Sequence, residues 1–506
     1  MHRDRATKAL SEHSRFVHTD LSTQLAEHAS TAPAAHLLEL FAQTRSTVPA
    51  YAAFLQEQGV DPTQVQSLAD FSRLPLTTKA NYHQRYPLAQ RCRAGDVSSS
   101  DMIAASSGST GEPTFWPRFF TDELAVAERF EQVFRDSFAA DGRRTLAVVC
   151  FPLGTWVGGM FTASCCRHLA TKGYPITLVT PGNQKAEIFR VVRALAPMFE
   201  QTVLLGYPPF LKDVIDAGSA EGVPWHSYGL KLVLAGEVFS EEWRSLVAER
   251  AGMGQPMLDF ASLYGTADGG VLGNETPLSV VIRRFLAERT DAARALFGEA
   301  RLPTLVQYDP WQRYFEEHER TLVFSGDGGV PHVRYHISDT GGVLPYPTLI
   351  ERLRDFGFDA EEEARAAGAM RLHRLPFVYV FGRSHFAVSY YGANVFPDTV
   401  SIGLEQPHTR AFVTGKFVLE VNEDEQRDRQ LTIAVELAPN VSADPELATQ
   451  IAQAILAVLL RLNSEFANYV PVERRLPVVT LWPAGHPDYF PVGVKHRYAR
   501  KQSAEG

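Results

Sequence analysis

The sequence predicts an α/β protein with a large N-terminal domain, built on parallel βαβ units plus an antiparallel subdomain, and a small α+β domain at the C-terminal end. Apolar strands alternate with amphipathic helices between residues 121 and 260, and strand pairs follow beyond residue 300. A separate set of strands, with one long helix, starts at about residue 384. Such alternation favours parallel strands with helices on both faces. The length of 506 residues allows more than one domain.

The N-terminal region is predicted to be helical. Residues 20–58 carry a helical apolar period, which Gly59 and Pro62 end. Thr77 or Thr78 is a candidate cap for the short helix that follows. Strands are then predicted at 102–105 and 114–120, so that the Ser/Gly-rich segment between them is a loop joining two strands.

Five helix–strand pairs follow. The predicted helices are 122–140, 157–172, 184–196, 209–217 and 240–251, and the strands after them are 146–150, 176–179, 203–205, 232–235 and 257–260. In parallel sheets, ligands bind beyond the carboxyl ends of the strands. The loops that follow these strands are therefore the first places to look for a site.

The remainder of the chain changes pattern. An antiparallel subdomain is predicted from strands at 305–308, 321–324 and 332–335, and the charged segment 351–374 is interpreted as a solvated surface helix. The last unit is predicted from strands at 411–421, 430–437 and 476–481 and from a helix over 447–462.

Composition excludes several classes of partner. The net charge is −9 and the isoelectric point is near 6.0, so the basic footprint of a nucleic-acid-binding protein is absent. Four cysteines without CxxC spacing indicate a reduced compartment. The charged N-terminus has no apolar signal segment, and the longest apolar stretch, 146–161, is shorter than the roughly 20 residues of a membrane helix. A cytoplasmic protein without a membrane partner is expected.

The segment Ser106–Thr114 is the strongest candidate site. Four hydroxyls and two glycines occupy six successive residues, namely Ser106, Ser107, Gly108, Ser109, Thr110 and Gly111. Glycines let the backbone approach a ligand, and successive backbone N–H groups with hydroxyl donors can hold the phosphates of a nucleotide. The spacing is not that of a Walker loop. The alternative is a flexible Ser/Gly turn.

Two further glycine-rich motifs follow predicted strands. In the first, Tyr264 offers a ring on which a base can stack, and Asp268 offers a hard oxygen ligand for Mg²⁺ beside phosphates. In the second, Asp339 can accept hydrogen bonds from two ribose hydroxyls. The alternative in both cases is a glycine turn with an exposed aspartate.

Two basic residues complete the set of candidates. Arg383 ends a predicted strand and can hold a ribose or a phosphate, or be a surface arginine. Lys495 lies in a basic C-terminal loop, which is either a solvated tail or the carrier of a lysine that neutralises charge at an α-phosphate. The sequence has no HExxH zinc motif, no GxSxG elbow and no GxGxxG opening a helix after the early strands.

In their order along the chain, these motifs resemble those of the adenylate-forming superfamily, and within it the phenylacetate–CoA ligase branch. The resemblance is carried by four stretches: SLADFSRLPLTTKANYHQRYPL (67–88), SSGSTGEPT (106–114), LAGEVFSEEWRSLVAER to LYGTAD (234–268) and GRSHFAVSYYGANVFPDTV (382–400). It covers roughly residues 50–500, which is too long for a chance match of short motifs.

The resemblance implies a two-domain enzyme and a two-step reaction. An N-terminal domain, 1–383, would bind nucleotide and acid, and a mobile C-terminal lid domain would cover 384–506. A carboxylate attacks the α-phosphate of ATP in the presence of Mg²⁺, which gives an acyl-adenylate and pyrophosphate. An acceptor, usually the thiol of coenzyme A, then displaces AMP.

The resemblance also implies roles for particular residues. Ser106–Gly111 would hold the β- and γ-phosphates, Tyr264 would stack on adenine, Gly265 and Thr266 would be among the nucleotide-binding residues, and Asp268 would bind Mg²⁺. Asp339 and Arg383 would hold the ribose, and Lys495 would bridge the carboxylate and the α-phosphate, which makes Lys495 and Asp268 the catalytic candidates. Along adenine and the acyl pocket would lie Ala235, Gly236 and Glu237.

The pocket for the acid is expected beyond the strand ends. Its candidate residues are aromatic or small, which favours an aryl or small hydrophobic acid, although each can equally be ordinary core packing. They are Phe151, Trp156, Val157, Gly158, Tyr207 and Pro208.

Some positions depart from the family pattern. Glu112 stands where a lysine is usual, Ala267 and Asp268 replace a hydroxyl residue and a glutamate, and Ser384-His385-Phe386 replaces the usual Ser-Asp-Asp of the hinge. These departures leave two alternatives open beside a CoA ligase. One is an adenylating enzyme with an amine, carrier-protein or other acceptor, and the other is a silent nucleotide-binding homologue. The protein is expected to be a monomer or a homodimer.

Overall fold

The N-terminal helices are divided by prolines. The computed structural model describes residues 2–106, 114–155, 157–298, 302–383, 387–395, 397–423 and 426–490. The first four helices are α1 (His2–His18), α2 (Leu21–Ser30), α3 (Ala34–Thr47) and α4 (Pro49–Glu57). The periodic region 20–58 is thus three helices, because Pro33 and Pro49 each stand where a new helix begins. Asp20 caps α2 through the backbone N–H of Thr23, at 2.8 Å.

Short helical turns connect this bundle to the first hairpin. They are α5 (Leu68–Phe71), a π-helical turn (Lys79–His83) and α6 (Leu88–Arg91). Thr78 caps the π-helical turn in a reciprocal capping box with Asn81, as one of the two candidates for this cap predicted. Thr77 instead pairs with the backbone of Arg334, since its N–H donates to that carbonyl at 3.1 Å.

Strands β1 (Met102–Ser106) and β2 (Thr114–Arg118) form a two-stranded sheet. They flank the Ser/Gly segment as predicted. Residues 107–113 themselves lie outside the described part of the chain.

The predicted parallel sheet is confirmed. Its strands are β3 (Thr145–Val149), β4 (Ile176–Val179), β5 (Gln201–Gly206), β6 (Leu230–Ala235) and β7 (Phe260–Thr266), in the spatial order β4-β3-β5-β6-β7. All four pairings are parallel. One helix precedes the first of these strands along the chain and four connect the strands: α7 (Phe120–Gln132), then α8 (Val157–Thr171), α9 (Lys185–Leu195), α10 (Pro208–Ala220) and α11 (Glu241–Ala251).

The prediction for the last of these strands is wrong in its bounds. Strand β7 starts at Phe260, where the predicted strand 257–260 ends. The carboxylate of Asp259 accepts a hydrogen bond from the N–H of Gln255 at 2.8 Å, which closes a turn over the predicted strand. Consequently Tyr264, Gly265 and Thr266 lie within the strand rather than in a loop after it.

The antiparallel strands continue the same sheet instead of forming a sheet of their own. They are β8 (Gly270–Asn274), β9 (Thr304–Gln307), β10 (Tyr314–His318), β11 (Thr321–Gly326), β12 (His332–Leu344) and β13 (Phe377–Arg383). The order β10-β11-β12-β13-β9-β8-β7 joins them to the parallel strands in one eleven-stranded mixed sheet. The α/β fold class with both kinds of pairing is confirmed.

The charged segment 351–374 is not wholly a solvated helix. The helices of this region are α12 (Pro277–Glu288), α13 (Thr290–Phe297), α14 (Tyr346–Asp355) and α15 (Ala360–Ala366). Leu353 and Ala364 are fully buried in an apolar core that all four helices share. The charges occupy only the outer faces of α14 and α15, so the segment is amphipathic.

The described residues divide into two compact units. The first comprises those of Met1–Ala105, Phe115–Gly206 and Val214–Gly382, and the second those of Ser106–Thr114, Tyr207–Asp213 and Arg383–Gly506. A boundary between functional domains at 383/384 stays a prediction.

The second unit is an α+β structure. Its elements are β14 (Val388–Tyr390), β15 (Ala393–Val395), α16 (Pro397–Leu404), β16 (Val413–Glu423), β17 (Arg429–Leu437), α17 (Pro445–Leu462), α18 (Ser464–Tyr469) and β18 (Val478–Trp482). Strand β17 pairs antiparallel with β16 and parallel with β18. Among the helices of the described residues, none combines the length and apolarity needed to cross a bilayer.

Candidate active site

Two residues that the sequence singles out for nucleotide binding contact each other. The hydroxyl of Tyr264, on β7, donates to Oδ2 of Asp339, on β12, at 2.7 Å. Both side chains are buried. The ring of Tyr264 also stacks near that of Phe315, with centroids 6.3 Å apart. The fold therefore brings the two motifs together.

Asp339 lies in a strand rather than in the turn that was the alternative reading of its motif. Strand β12 runs from His332 to Leu344, and Ser338 next to Asp339 has a positive φ of 61°. A non-glycine residue in this region marks a local distortion of the strand. A Cβ on Gly341 would lie 2.1 Å from the carbonyl oxygen of Tyr379, so only glycine allows this approach.

The N-terminal signature stretch packs on the same strand. Thr77 forms an isolated parallel bridge with Tyr335, and its carbonyl accepts from the N–H of His336 at 2.8 Å. Arg334 donates to the carbonyl of Leu74 and pairs with Glu316 at 3.1 Å. Residues 74–77 are thereby fixed beside the strand that carries Asp339.

Asp268 lies in the tight turn between β7 and β8. The N–H of Gly269 donates to Oδ1 of Asp268 and to the hydroxyl oxygen of Thr266, each at 3.0 Å. Gly265 is required in β7, since a Cβ there would lie 2.7 Å from the carbonyl oxygen of Gly270. The turn therefore has a fixed backbone, and Asp268 is buried in it.

Two buried arginines surround this turn, and neither was predicted. Arg118, the last residue of β2, donates to the carbonyls of Ala267 and Asp268, and Arg313 donates to that of Gly269 at 3.1 Å. Burial lowers the pKa of both guanidinium groups from its ordinary value, and Asp122 opposes that effect. The carboxylate of Asp122 accepts hydrogen bonds from two backbone N–H groups. It thus faces the two buried guanidinium groups of Arg118 and Arg313.

A small cavity of about 10 Å³ adjoins the turn. Its lining includes Asp268, Arg118, Arg313, Asp122 and His332. Burial is the main cause that lowers the pKa of His332 to about 3. This imidazole is therefore neutral at physiological pH.

The segment Ala235-Gly236-Glu237 begins at the carboxyl end of β6, as predicted. Gly236 has a φ of 88°, a conformation that glycine adopts without strain. Glu237 is buried. The loop is tied down by Arg283, which donates to the carbonyl of Phe239 at 2.8 Å.

That arginine belongs to a buried network of four charges, which the sequence analysis missed. Arg244 contacts Glu241 at 2.9 Å and Glu275 at 2.8 Å, and Arg283 contacts the same two carboxylates at 3.1 and 3.0 Å. Burial lowers the pKa of Arg244, but the two carboxylates outweigh it and the net pKa is raised. Two cations and two anions neutralise each other beneath the Gly236 loop.

The remaining candidates are only partly described. Arg383 ends β13, as predicted, without a description of its side chain. Lys495, Trp156 and Ser107 to Gly111 lie outside the described residues, and Ser106 is described only as the end of β1. Their roles stay predictions.

The expected acyl pocket is brought together in part. Phe151 is buried, and a Cβ on Gly158 would lie 3.5 Å from its ring. Val157 starts α8 directly beside them. In the second unit, Tyr207 precedes Pro208 at the start of α10 and packs on Tyr469, with centroids 5.2 Å apart. Phe151 and Gly158 thus lie near each other in the first unit.

Within the described residues, no three His, Cys, Asp or Glu side chains converge as metal ligands. Magnesium in nucleotide sites is commonly held by one or two carboxylates together with substrate phosphates and water. The single carboxylate of Asp268 suits that mode, in which the ion arrives with the nucleotide.

The fold has counterparts among solved acyl-CoA ligases. Among solved structures, 2-hydroxyisobutyryl-CoA ligase in complex with 2-HIB-AMP and CoA has a TM-score of 0.65 at 15% identity, covering 92% of this chain and 88% of that one. The same enzyme in its postadenylation state has a TM-score of 0.53 at 14% identity, covering 92% and 87%. At these identities, the likeness establishes the fold.

Sequence relatives narrow the class. Phenylacetate-coenzyme A ligase of Aromatoleum evansii is 24% identical over 416 residues, which cover 81% of this chain and 82% of that enzyme. The Thermus thermophilus enzyme of the same name is 28% identical over 218 residues, 43% of this chain and 46% of that one. No family model matches the chain. The protein is phenylacetate–CoA ligase-like.

Proposed function

We propose that this protein activates a small carboxylic acid with ATP and transfers the acyl group to coenzyme A. The carboxylate attacks the α-phosphorus of ATP, pyrophosphate leaves, and the thiol of coenzyme A then attacks the acyl carbon and releases AMP. The observation that carries the proposal is the hydrogen bond between Tyr264 and Asp339. Residues 75 positions apart, each singled out for adenosine contact, share one site.

The relatives support the same chemistry. Two curated proteins that match the chain are phenylacetate-coenzyme A ligases. The 2-hydroxyisobutyryl-CoA ligase of similar fold was solved with an acyl-adenylate and CoA. An acid, an adenylate and a CoA thioester are therefore the reactants that this fold handles in those enzymes.

The roles of the residues follow from their chemistry. Asp268 offers a hard oxygen to the Mg²⁺ that accompanies ATP, and Asp339 and Arg383 hold the ribose. The loop Ser106–Gly111 holds the β- and γ-phosphates. Lys495 neutralises the charge that develops at the α-phosphate. Catalysis of this kind consists mainly of positioning and electrostatic stabilisation.

The acid is proposed to be small and aromatic. The proximity of Phe151 to Gly158 supports this, because it places an aromatic ring beside a position without a side chain. Val157 and Trp156 are the neighbouring candidates. An apolar pocket of this kind favours an aryl group over a charged one.

The second step is proposed to depend on the C-terminal residues 384–506 acting as a mobile lid. The sequence favours one alternative to coenzyme A as acceptor. Ser384-His385-Phe386 replaces the acidic hinge of the related enzymes, and an amine or a carrier-protein thiol could then be the acceptor. The reaction is proposed to occur in the cytoplasm, where ATP is available and the four buried cysteine thiols stay reduced.

Pyrophosphate release from ATP, measured across a panel of aryl and short aliphatic acids, tests the proposal. We expect release with at least one acid and coenzyme A consumption in the same reaction. Pyrophosphate release without consumption of free coenzyme A would favour another acceptor. No pyrophosphate release with any acid would contradict adenylation with either kind of acceptor. Lys495→Ala should abolish adenylate formation but spare transfer from a supplied acyl-adenylate, whereas Lys501→Ala in the same tail should leave both steps intact.

A further inference from the structure

Three successive backbone carbonyls around Asp268 are held by two arginine side chains. Nη2 of Arg118 donates to the carbonyl of Ala267, and both of its terminal nitrogens donate to that of Asp268 at 3.2 Å. Nη2 of Arg313 donates to the carbonyl of Gly269 at 3.1 Å. The arginines are only 4% and 8% exposed. Every carbonyl of the turn is therefore taken by a side chain from another part of the chain.

The two arginines are themselves held firmly. Arg313 also donates to the carbonyls of Gln312 at 2.7 Å and Asp327 at 3.2 Å. Asp122 lies near both guanidinium groups, and its carboxylate accepts from the N–H groups of Phe119 and Gly329, each at 2.9 Å. A planar guanidinium with fixed partners loses little further freedom when it binds a carbonyl.

The cavity beside the turn is polar. Nε of Arg118, Nε of Arg313 and Nε2 of His332 are buried and have no hydrogen-bond partner among the described residues. The volume of about 10 Å³ is near the minimum for one water molecule. Movement of the turn into this cavity would break its hydrogen bonds to the arginines and leave more buried polar groups unpaired. The arginines therefore also oppose movement of the turn toward the cavity.

The arrangement constrains how Asp268 can reach a ligand. The carbonyls of residues 267–269 already accept hydrogen bonds from the arginines, so the carboxylate is the charged oxygen ligand that this turn can offer to a cation. An aspartate is one methylene shorter than a glutamate, so its reach depends closely on where the backbone lies. Arg118 also connects the Asp268 turn to the Ser/Gly segment, since it ends strand β2, which directly follows residues 107–113 in the chain.

We propose that Arg118 and Arg313 are positioning residues that set the place of the Asp268 carboxylate by holding the backbone on both sides of it. The proposal rests on the proposed function, in which that carboxylate serves Mg²⁺–ATP. Neither arginine touches the reacting atoms. A displacement of about 1 Å in such a group can reduce a rate by orders of magnitude.

Steady-state kinetics of pyrophosphate release test the proposal, with Arg118→Lys, Arg313→Lys and, as a matched control, Arg129→Lys. Arg129 is 1% exposed and bonds to Gln132 rather than to the Asp268 turn. A lysine keeps the charge but has one terminal nitrogen instead of a planar fork, so it cannot reproduce the contacts that the spaced nitrogens of an arginine make. We expect the KM for ATP and the Mg²⁺ concentration for half-maximal rate to rise on the order of tenfold in the first two variants. Arg129→Lys should leave both unchanged even where it lowers the melting temperature.

Hydrogen exchange of residues 266–270 gives a second readout that needs no activity. Exchange should be faster in Arg118→Lys and Arg313→Lys than in the unmodified protein, and unchanged in Arg129→Lys. Unaltered KM, Mg²⁺ dependence and exchange in folded Arg118→Lys would overturn the proposal. If the unmodified protein releases no pyrophosphate with any acid, the proposed function fails, and the exchange measurement alone decides whether the arginines hold the turn.

Discussion

The hydroxyl of Tyr264 donates to the carboxylate of Asp339 over 2.7 Å, and this bond joins strand β7 to strand β12. In the proposed function, these two side chains contact adenine and ribose. Here the two side chains also stabilise each other. The same bond therefore has a structural and a functional consequence, and the two can be separated by measurement.

Tyr264→Phe removes this bond and leaves a buried carboxylate with one donor fewer. We expect the free energy of unfolding to fall by about 1–3 kcal/mol and the KM for ATP to rise. The control is Tyr51→Phe, because the Tyr51 hydroxyl is buried without a partner among the described residues. That variant should keep or gain stability, as measured by urea unfolding. Equal losses in both variants would contradict the importance of the Tyr264–Asp339 bond.

Gly265→Ala is expected to destabilise the hairpin of β7 and β8. The added methyl group would lie 2.7 Å from the carbonyl oxygen of Gly270, which is backbone and cannot move aside cheaply. Gly254→Ala is the control, since nothing lies within 4 Å of a Cβ there. Thermal unfolding should show a lower midpoint for the first variant and little change for the second. Similar midpoints would mean that the hairpin accommodates a side chain.

Glu275→Gln breaks the neutral network of Glu241, Arg244, Glu275 and Arg283. The two arginines would then share one carboxylate, and an uncompensated buried charge typically costs about 3–5 kcal/mol. Glu187→Gln is the control, because Glu187 pairs with Arg190 on the surface, where the two side chains are 42% and 70% exposed. Urea unfolding should separate the two variants clearly. A loss for Glu275→Gln no larger than that for the control would refute the network's role.

The buried imidazole of His332 predicts a dependence of stability on pH. Burial is the first cause that lowers its pKa from 6.5 to about 3 in the folded protein, and Arg118 and Arg313 add to it while Asp268 opposes it. At a pH between about 3 and 6.5, His332 binds a proton in the unfolded chain but not in the folded protein. Stability from this group is therefore complete above pH 6.5 and declines as the pH falls, by about 2 kcal/mol at pH 5.

His332→Asn isolates this contribution, because asparagine does not titrate. Unfolding free energies at pH 7.5 and pH 5 should differ less in the variant than in the unmodified protein. The control is His318→Asn, because His318 is an exposed histidine at the end of β10. The same pH dependence in all three proteins would show that His332 titrates normally.

The sequence predicts the order of strands and helices well where apolar period alone decides it. The five parallel strands are of this kind, since each is a short apolar run between amphipathic helices. The limits of β7 were missed because the apolar pattern does not reveal the turn before it, which is closed by hydrogen bonds between Gln255 and Asp259. The antiparallel strands β9, β11 and β12 were predicted, whereas β8 and β10 were not, and the place of all of them in the same sheet depends on pairings between distant residues.

The site shows the same division. Tyr264, Asp268 and Asp339 stand in recognisable local patterns, so the sequence could single them out. Arg118 and Arg313 could not be found, because nothing next to them in the sequence indicates that they are buried. The partners of Arg118 lie about 150 residues away along the chain. Whether an arginine serves solvent or a buried backbone is decided by the tertiary fold.

The central claim is that the acid is activated through its carboxylate oxygen at the α-phosphorus of ATP. Phenylacetate labelled with ¹⁸O in its carboxylate, incubated with the protein, Mg²⁺, ATP and coenzyme A, tests it by mass spectrometry of the nucleotide product. In adenylation the carboxylate oxygen bonds to phosphorus, and the thiol later breaks the bond between that oxygen and the acyl carbon. AMP should therefore carry one ¹⁸O atom. Unlabelled AMP, or label in inorganic phosphate together with ADP, would contradict the account.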